Sequence, residues 1–388
     1  MKYVQINSNN WGWAKEVIFK YHQNLLSEGV DSYVIWGNGS PSKNDHEIKI
    51  NTGWNLKLDG LLTRIDGKMG FHSRIITKRL LKKLDSIQPD IVHLHSPLGY
   101  YLNIEMFFSW LSNNNCKFKW TLHDCWAFTG YCLHFSMAKC NQWKESCTNH
   151  CPCPPRGGRY PDLGMKRRVS WNFEKKKQLF TMLPEDRVTL ITPSEWLAGL
   201  VKQSFLKKYH VEVIHNTIDK EVFKPVLSNL REELQLTDKF VILGVTLRWD
   251  NRKGLPDFIK LLEDLDENYA VILVGLRPKQ ITAITEIAKK SKTIFIGMTR
   301  TESQDELVKL YSMSDVFFNP TLEENYPTVN LESQACGTPV VTYDTGGCKE
   351  TIILNDSCVV SGYDDALCQI RHMKLMQEAN IYSFGNSI

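Results

Sequence analysis

Two glutamates stand eight residues apart in "TLEENYPTVNLESQACGTPVV", Thr321 to Val341, with Glu324 in a proline-containing turn and Glu332 in a segment of helical character. Paired acids work as general acid and base, as metal ligands, as readers of hydroxyl groups, or as plain solvated surface. A pair of cations narrows the choice. In "LRWDNRKG", Arg248 and Lys253 lie in a loop that follows a strand-like run and opens a helix. Two cations beside a helix amino terminus form a metal-free clamp for a diphosphate, because they offset its charge and donate hydrogen bonds to it. The competing reading is a solvated basic loop.

Pro327 falls near the start of the helix that carries Glu332, and Gly337 falls where that helix would end. The backbone amides around Asn325, Tyr326, Thr328 and Val329 would then face the same crevice as Arg248 and Lys253. Carboxylates placed there accept hydrogen bonds from hydroxyls, so Glu324 and Glu332 are candidate sugar readers. The alternative is that they are early helix acids offsetting the dipole. "DTGG", Asp344 to Gly347, adds a glycine-rich loop after another strand.

The elements that must position these residues alternate. Strand-like runs "KYVQIN", "SYVIWG", "DIVHLH", "FKWTLH", "VTLITPS" and "VEVIHN" occupy the first half, and "VILGVT", "AVILVG", "TIFIGM", "DVFFNP" and "PVVTYD" the second, with helical-period segments between them. This pattern predicts an α/β fold of two doubly wound, Rossmann-like domains facing a central cleft. The joint near "HNTIDKEVFKP" gives domains 1–216 and 217–388, with a Cys-rich, strand-poor insertion at about 125–155. In open parallel sheets ligands bind beyond the carboxyl ends of the strands, where all the polar clusters above fall.

A chain of 388 residues exceeds one ordinary core, and 42% apolar with 23% charged residues is globular composition. A net charge of +4 lacks the concentrated positive charge of a dedicated nucleic-acid binder, so no nucleic-acid partner is expected. "MKYVQINSNN" runs straight into a strand without a signal-peptide apolar region, and no stretch is long and apolar enough to span a bilayer. The expected location is cytoplasmic, where eleven cysteines would be mostly thiols or metal ligands.

Taken in order, "PSEWL…NTIDKEVFKP", R-x4-K-G, E-x7-E and A-x-G-x-P-V-V resemble the retaining glycosyltransferases of family four, which have the GT-B fold. "PDIVHLHSPLGYYLNIEMFF" and "TLHDCWAFTGYC" are similar to the bacterial members that build cell-surface polysaccharides. The resemblance implies a nucleotide-sugar donor, UDP- or GDP-linked, and a glycan or lipid-linked oligosaccharide acceptor. It implies that Glu332 binds the donor ribose, Glu324 the donor sugar, Arg248 and Lys253 the departing diphosphate, and that His123 stands close to the reacting sugar. It places acceptor contacts at Gly12, Trp13 and His95, although "NSNNWGWAKE" keeps only Gly12 of the family's glycine-rich first loop. No catalytic metal is implied. A sugar-nucleotide epimerase and a sugar-nucleotide binding protein without turnover remain the alternatives. The carboxyl end, "MQEANIYSFGNSI", reads as too short for the family's long terminal helix, from truncation or an altered domain contact.

Other motifs carry weaker readings. "GNGSPS" at Gly37 to Ser42 begins like a dinucleotide fingerprint but lacks the third glycine and a following helix. "DLD" at Asp264 to Asp266 has metal-binding spacing at the end of a helix, where solvated surface is the expectation. In the insertion, Cys132, Cys140, Cys147 and Cys151 are candidate ligands of a structural zinc, with Cys153 or His150 as substitutes; thiols or two disulfides are the alternatives. "SRIITKRLLKKLD" has Ile76, Leu80 and Leu84 on one helical face and Arg74, Lys78, Arg79, Lys82 and Lys83 largely elsewhere. Such a helix either rests peripherally on an anionic membrane, at the inner face of the cell membrane, or packs on its own sheet with a solvated basic face.

Overall fold

The computed structural model describes residues 1–51, 53–152 and 168–385. The chain divides into two compact units, Met1–His215 and Asn216–Ile388.

Among its described residues the first unit has seven strands: β1 (Lys2–Asn9), β2 (Asp31–Asn38), β3 (Glu47–Lys49), β4 (Ile91–Leu94), β5 (Lys117–Thr121), β6 (Val188–Thr192) and β7 (His210–Val213). Its helices are α1 (Trp13–Ser27), α2 (Trp54–Asp66), α3 (Arg74–Ile87), α4 (Ile104–Ser112), α5 (Val169–Phe180) and α6 (Glu195–Val201). The sheet order is β3-β2-β1-β4-β5-β6-β7, all parallel. The second unit has α7 (Leu230–Glu233), β8 (Phe240–Val245), α8 (Leu255–Asp264), β9 (Tyr269–Val274), α9 (Pro278–Ala288), β10 (Ile294–Met298) and α10 (Gln304–Met313). It continues with β11 (Val316–Asn319), α11 (Thr328–Ala335), β12 (Val340–Tyr343), β13 (Cys358–Val360) and α12 (Tyr363–Gly385), in the parallel order β10-β9-β8-β11-β12-β13.

All eleven expected strand runs form strands. The two additional strands, β3 and β13, are three-residue pieces at sheet edges, too short to show a period. Central strands such as β9 are buried along their whole length, because helices cover both faces of a parallel sheet. Strand order reverses between β1 and β4 and again between β8 and β11, the positions where open parallel sheets ordinarily bind ligands.

The structure places three of the segments singled out in the sequence. The terminal segment is part of α12, a helix of 23 residues anchored in the second core by Ala366 and Ile370. The apolar face of α3 is core: Ile76, Leu80 and Leu84 are fully buried, which leaves that helix only its basic face for any partner. Asp264 of the "DLD" motif accepts a hydrogen bond from Tyr363 Oη at 2.7 Å, a surface tie between α8 and α12.

Candidate functional site

At the second unit's switch point, the turn after β8 meets the loop after β11. Asp250 caps the turn through a hydrogen bond from the Lys253 amide to its Oδ1 at 3.1 Å. Gly254 follows with φ 74°, and a Cβ there would lie 2.3 Å from the Pro320 carbonyl oxygen; only glycine allows the two loops this close. Leu322 N donates to Arg252 O at 2.8 Å, and Arg252 Nη1 donates to Glu323 O at 2.9 Å, so the loops are joined by one backbone bond and one from the Arg252 side chain. The consequence is that Lys253 Nζ donates to Glu324 Oε2, with both side chains about four-fifths buried. Glu324 Oε1 takes the Asn325 amide at 3.1 Å. The "DTGG" loop closes the other side, with Gly346 packed so tightly on the Glu324 carbonyl that a Cβ would come within 1.7 Å of it.

Glu332 stands in the second turn of α11, which has no acid in its first turn. The dipole reading therefore loses its basis. One carboxylate oxygen accepts from the fully buried Tyr311 hydroxyl at 3.1 Å. Burial first, and the Glu332 charge second, raise that phenol well above its ordinary range, so Tyr311 stays a donor. Helix α11 is capped at Pro327 and followed by Gly337 at φ 88°, as the sequence indicates. A buried amide network seats its start: Asn319 Nδ2 donates to Asn330 Oδ1 at 2.8 Å, and Asn330 Nδ2 donates to Thr351 Oγ1 at 2.9 Å. Thr328 and Val329 open the helix, so their amides belong to its unpaired first turn. The Tyr326 hydroxyl lies 3.5 Å from the Glu350 carbonyl, and Arg248 is exposed in the turn after β8.

The first unit's switch point is built from neutral groups. His93 and His95, at the end of β4, have ring centroids 4.1 Å apart, and His123, beyond β5, stacks 6.1 Å from His95. His93 is held by the Tyr3 hydroxyl at 2.9 Å and the Thr121 hydroxyl at 2.8 Å, and His95 Nε2 lies 3.2 Å from Gln5 Oε1. Burial pushes His93 down to about 3 and His123 to about 4, and holds His95 well below the usual range. All three are uncharged imidazoles near neutral pH. His95, Ser96, His123, Asp124, Trp126 and Ala127 line an open hollow of about 270 Å³.

Asp124 and Lys176 have no place in the sequence reading. Burial pushes Asp124 up to about 6, opposed by the Trp126 amide, which donates to it at 2.8 Å, and by Lys176. Lys176 is 1% exposed, donates to the Trp126 carbonyl at 2.5 Å and lies 3.9 Å over the Trp126 ring. Of the acceptor-side candidates, Gly12 caps α1 at φ 63°, His95 lines the hollow, and the Trp13 side chain lies outside what the structure describes.

In the insertion, Cys132, Cys140 and Cys147 are buried and Cys151 is half-buried. Burial, with smaller contributions from Cys140 and Cys151, raises the Cys147 thiol to about 11, although its sulfur accepts the Gly130 amide at 3.2 Å. Among the described residues no group of three or more His, Cys, Asp or Glu is arranged as a metal site. Cys153, the substitute ligand, lies outside the described residues. Aromatic packing also holds the segment, with Trp143 between Phe128 and Phe135 at centroid distances of 5.4 and 5.0 Å.

Two parallel-sheet units, each with its polar residues at a switch point, define the GT-B class of glycosyltransferase. Solved structures agree in fold: sucrose-phosphate synthase from Thermosynechococcus elongatus (15% identity, 97% of this chain and 90% of that chain, TM-score 0.64) and WaaG, a glycosyltransferase involved in lipopolysaccharide biosynthesis (14%, 96% and 90%, TM-score 0.60). The family model for Glycosyltransferase Family 4 matches residues 15–222, and that for Glycosyl transferases group 1 matches residues 228–376. The chain belongs to glycosyltransferase family 4. The putative colanic acid biosynthesis glycosyl transferase WcaC of Escherichia coli K12 is 23% identical over 88% of this chain and 82% of its own. The alpha-galactosylglucosyldiacylglycerol synthase of Streptococcus pneumoniae is 30% identical over 34% of this chain and 38% of its own.

Proposed function

We propose that this glycosyltransferase moves a sugar, with retention, from a nucleotide-sugar donor to a glycan or lipid-linked oligosaccharide in surface polysaccharide biosynthesis, at the cytoplasmic face of the membrane. The observation that carries the reading is the Lys253–Glu324 pair, set beside the start of α11 by loops that admit only glycine at Gly254 and Gly346. Support for the donor class comes from Anabaena HepE, whose structure with UDP and glucose has a TM-score of 0.62 at 13% identity over 97% of this chain and 91% of that one.

In this reading Lys253 turns from Glu324 to the diphosphate, Arg248 joins it, and the freed Glu324 carboxylate accepts from donor-sugar hydroxyls. The amides at the start of α11 offset charge on the phosphates, and Glu332, held by Tyr311, takes the ribose hydroxyls. As the bond from the anomeric carbon to the diphosphate oxygen breaks, its electron pair leaves with that oxygen. Lys253 and Arg248 stabilise the charge, which is the largest contribution expected in such a transfer. The acceptor oxygen bonds to the anomeric carbon on the same face and passes its proton to the departing phosphate. His123, neutral beside the hollow, orients the reacting sugar, and His95 and Gly12 lie on the acceptor side. The test is release of nucleoside diphosphate from UDP- and GDP-sugars. Release that depends on an added glycan acceptor is expected; epimerised donor, or donor binding without turnover, defeats the reading.

We also propose that Cys132, Cys140, Cys147 and Cys151 close around one structural zinc ion. Support comes from the Gly130 amide aimed at the Cys147 sulfur, a donor that stabilises a thiolate. Metal analysis of the purified protein should give about one zinc per chain, falling well below that in Cys147→Ser. A value near zero in the unaltered protein removes the site.

A further inference from the structure

Helix α2 is built inside out. Its inward positions are small or polar: Asp59, Gly60 and Thr63 are buried, and Asp59 accepts from the Ser73 hydroxyl, tying α2 to the start of α3. Its outward positions are apolar. Trp54, Leu58, Leu61 and Ile65 are 85%, 53%, 53% and 43% exposed. The spacing i, i+4, i+7, i+11 puts them on one stripe, and a surface helix of a globular domain ordinarily turns such a stripe toward its core.

Charge surrounds this stripe. Lys57 and Arg64 are exposed on α2 itself, and α3, whose start is fixed to α2 through Ser73, exposes Arg74, Lys78, Arg79 and Lys82. Ile75, beside that start, is a further apolar residue at 60% exposure. We propose that α2 and the basic face of α3 together dock this protein on an anionic lipid bilayer, with the α2 stripe in the headgroup–acyl boundary and the cations against lipid phosphates. An indole and aliphatic stripe flanked by lysine and arginine is the composition that partitions to that boundary, and each cation near an anionic leaflet adds attraction. A second copy is the poorer occupant, because a symmetric pairing would bring like-charged surfaces together.

Sequence reasoning weighed membrane contact for α3 against packing on its own sheet with a solvated basic face, and passed over α2. The structure divides the labour differently: α3 supplies charge, and α2 supplies the apolar surface. None of these residues belongs to either switch-point set, so the inference stands apart from the transfer chemistry.

The test is co-sedimentation of the full chain with phosphatidylcholine vesicles, with and without phosphatidylglycerol. Binding to the anionic vesicles is expected, weakened by salt, and at least about tenfold weaker in Leu58→Ser/Leu61→Ser, which removes two inserting side chains. Lys78→Glu/Arg79→Glu should abolish the preference for anionic vesicles. Both variants alter exposed positions, and unchanged thermal melting confirms that they fold. Absence of binding by the unaltered protein overturns the proposal, as does binding that Leu58→Ser/Leu61→Ser leaves intact. A dimer that this double variant converts to monomer, without vesicle binding, assigns the face to a second copy instead.

Discussion

The two switch points solve the same architectural problem with opposite electrostatics. In the second unit the strand ends hold an ion pair, Lys253 with Glu324, in a turn that leaves each side chain about one-fifth exposed. In the first they hold His93, His95 and His123, kept neutral by burial and held in place by Tyr3, Thr121 and Gln5. A charged pair suits an anionic ligand, whereas a neutral polar floor suits hydroxyls that must be placed without competing charge. Equivalent positions in one fold type can thus carry different electrostatics.

The sharpest way to break that comparison is to remove the ion pair. Lys253→Ala should lower transfer by roughly 10²–10³-fold and weaken nucleoside diphosphate binding, since it deletes the cation that stabilises the departing charge. Glu324→Gln should separate the two roles: transfer falls comparably, while nucleotide affinity measured by calorimetry is kept or rises, because Lys253 no longer has a competing carboxylate. Loss of nucleotide affinity in Glu324→Gln would show that the glutamate serves only to position Lys253.

Acid titration probes the neutral side. An unfolded histidine titrates near 6.5, and these three are depressed in the fold, so between about 6.5 and 4 the unfolded chain binds more protons than the native one. Stability therefore falls as pH falls, by up to about 1.4 kcal/mol per pH unit for each histidine that stays neutral. Urea midpoints at pH 7 and pH 5 read the slope, and His93→Gln should reduce it by about one proton whatever it does to the midpoint itself. An unchanged slope in that variant would mean that His93 is not kept neutral by its surroundings.

The smallest effect is expected at Tyr311. Tyr311→Phe removes one hydrogen bond to Glu332 without opening a cavity, so donor KM should rise only a few-fold, about 1 kcal/mol, with kcat little changed. A large fall in kcat would move Glu332 from ribose recognition into the chemistry.

Much of this was legible in the sequence because it depends on local chain chemistry. Alternating apolar runs gave every central strand, and Pro327 and Gly337 marked the helix that carries Glu332. The edge strands β3 and β13 escaped because three residues show no period. Tyr311 and Asn319 were invisible for a different reason: each is an ordinary residue of its element until a partner distant in sequence turns it into a hydrogen-bond donor at the site.

Amino-acid order alone determined the element sequence, the two parallel sheets, and the residue types that end up beyond the strand ends, since backbone propensity and hydrophobic period act over a few residues. Which charges meet was decided only in three dimensions. Lys253 reaches Glu324 across 71 residues because two loops approach through glycine, Lys176 is buried against Trp126, and α2 turns its apolar stripe outward while α3 turns its own inward. The period of a helix fixes that it has an apolar face; only the packing of its neighbours decides whether that face is core or surface.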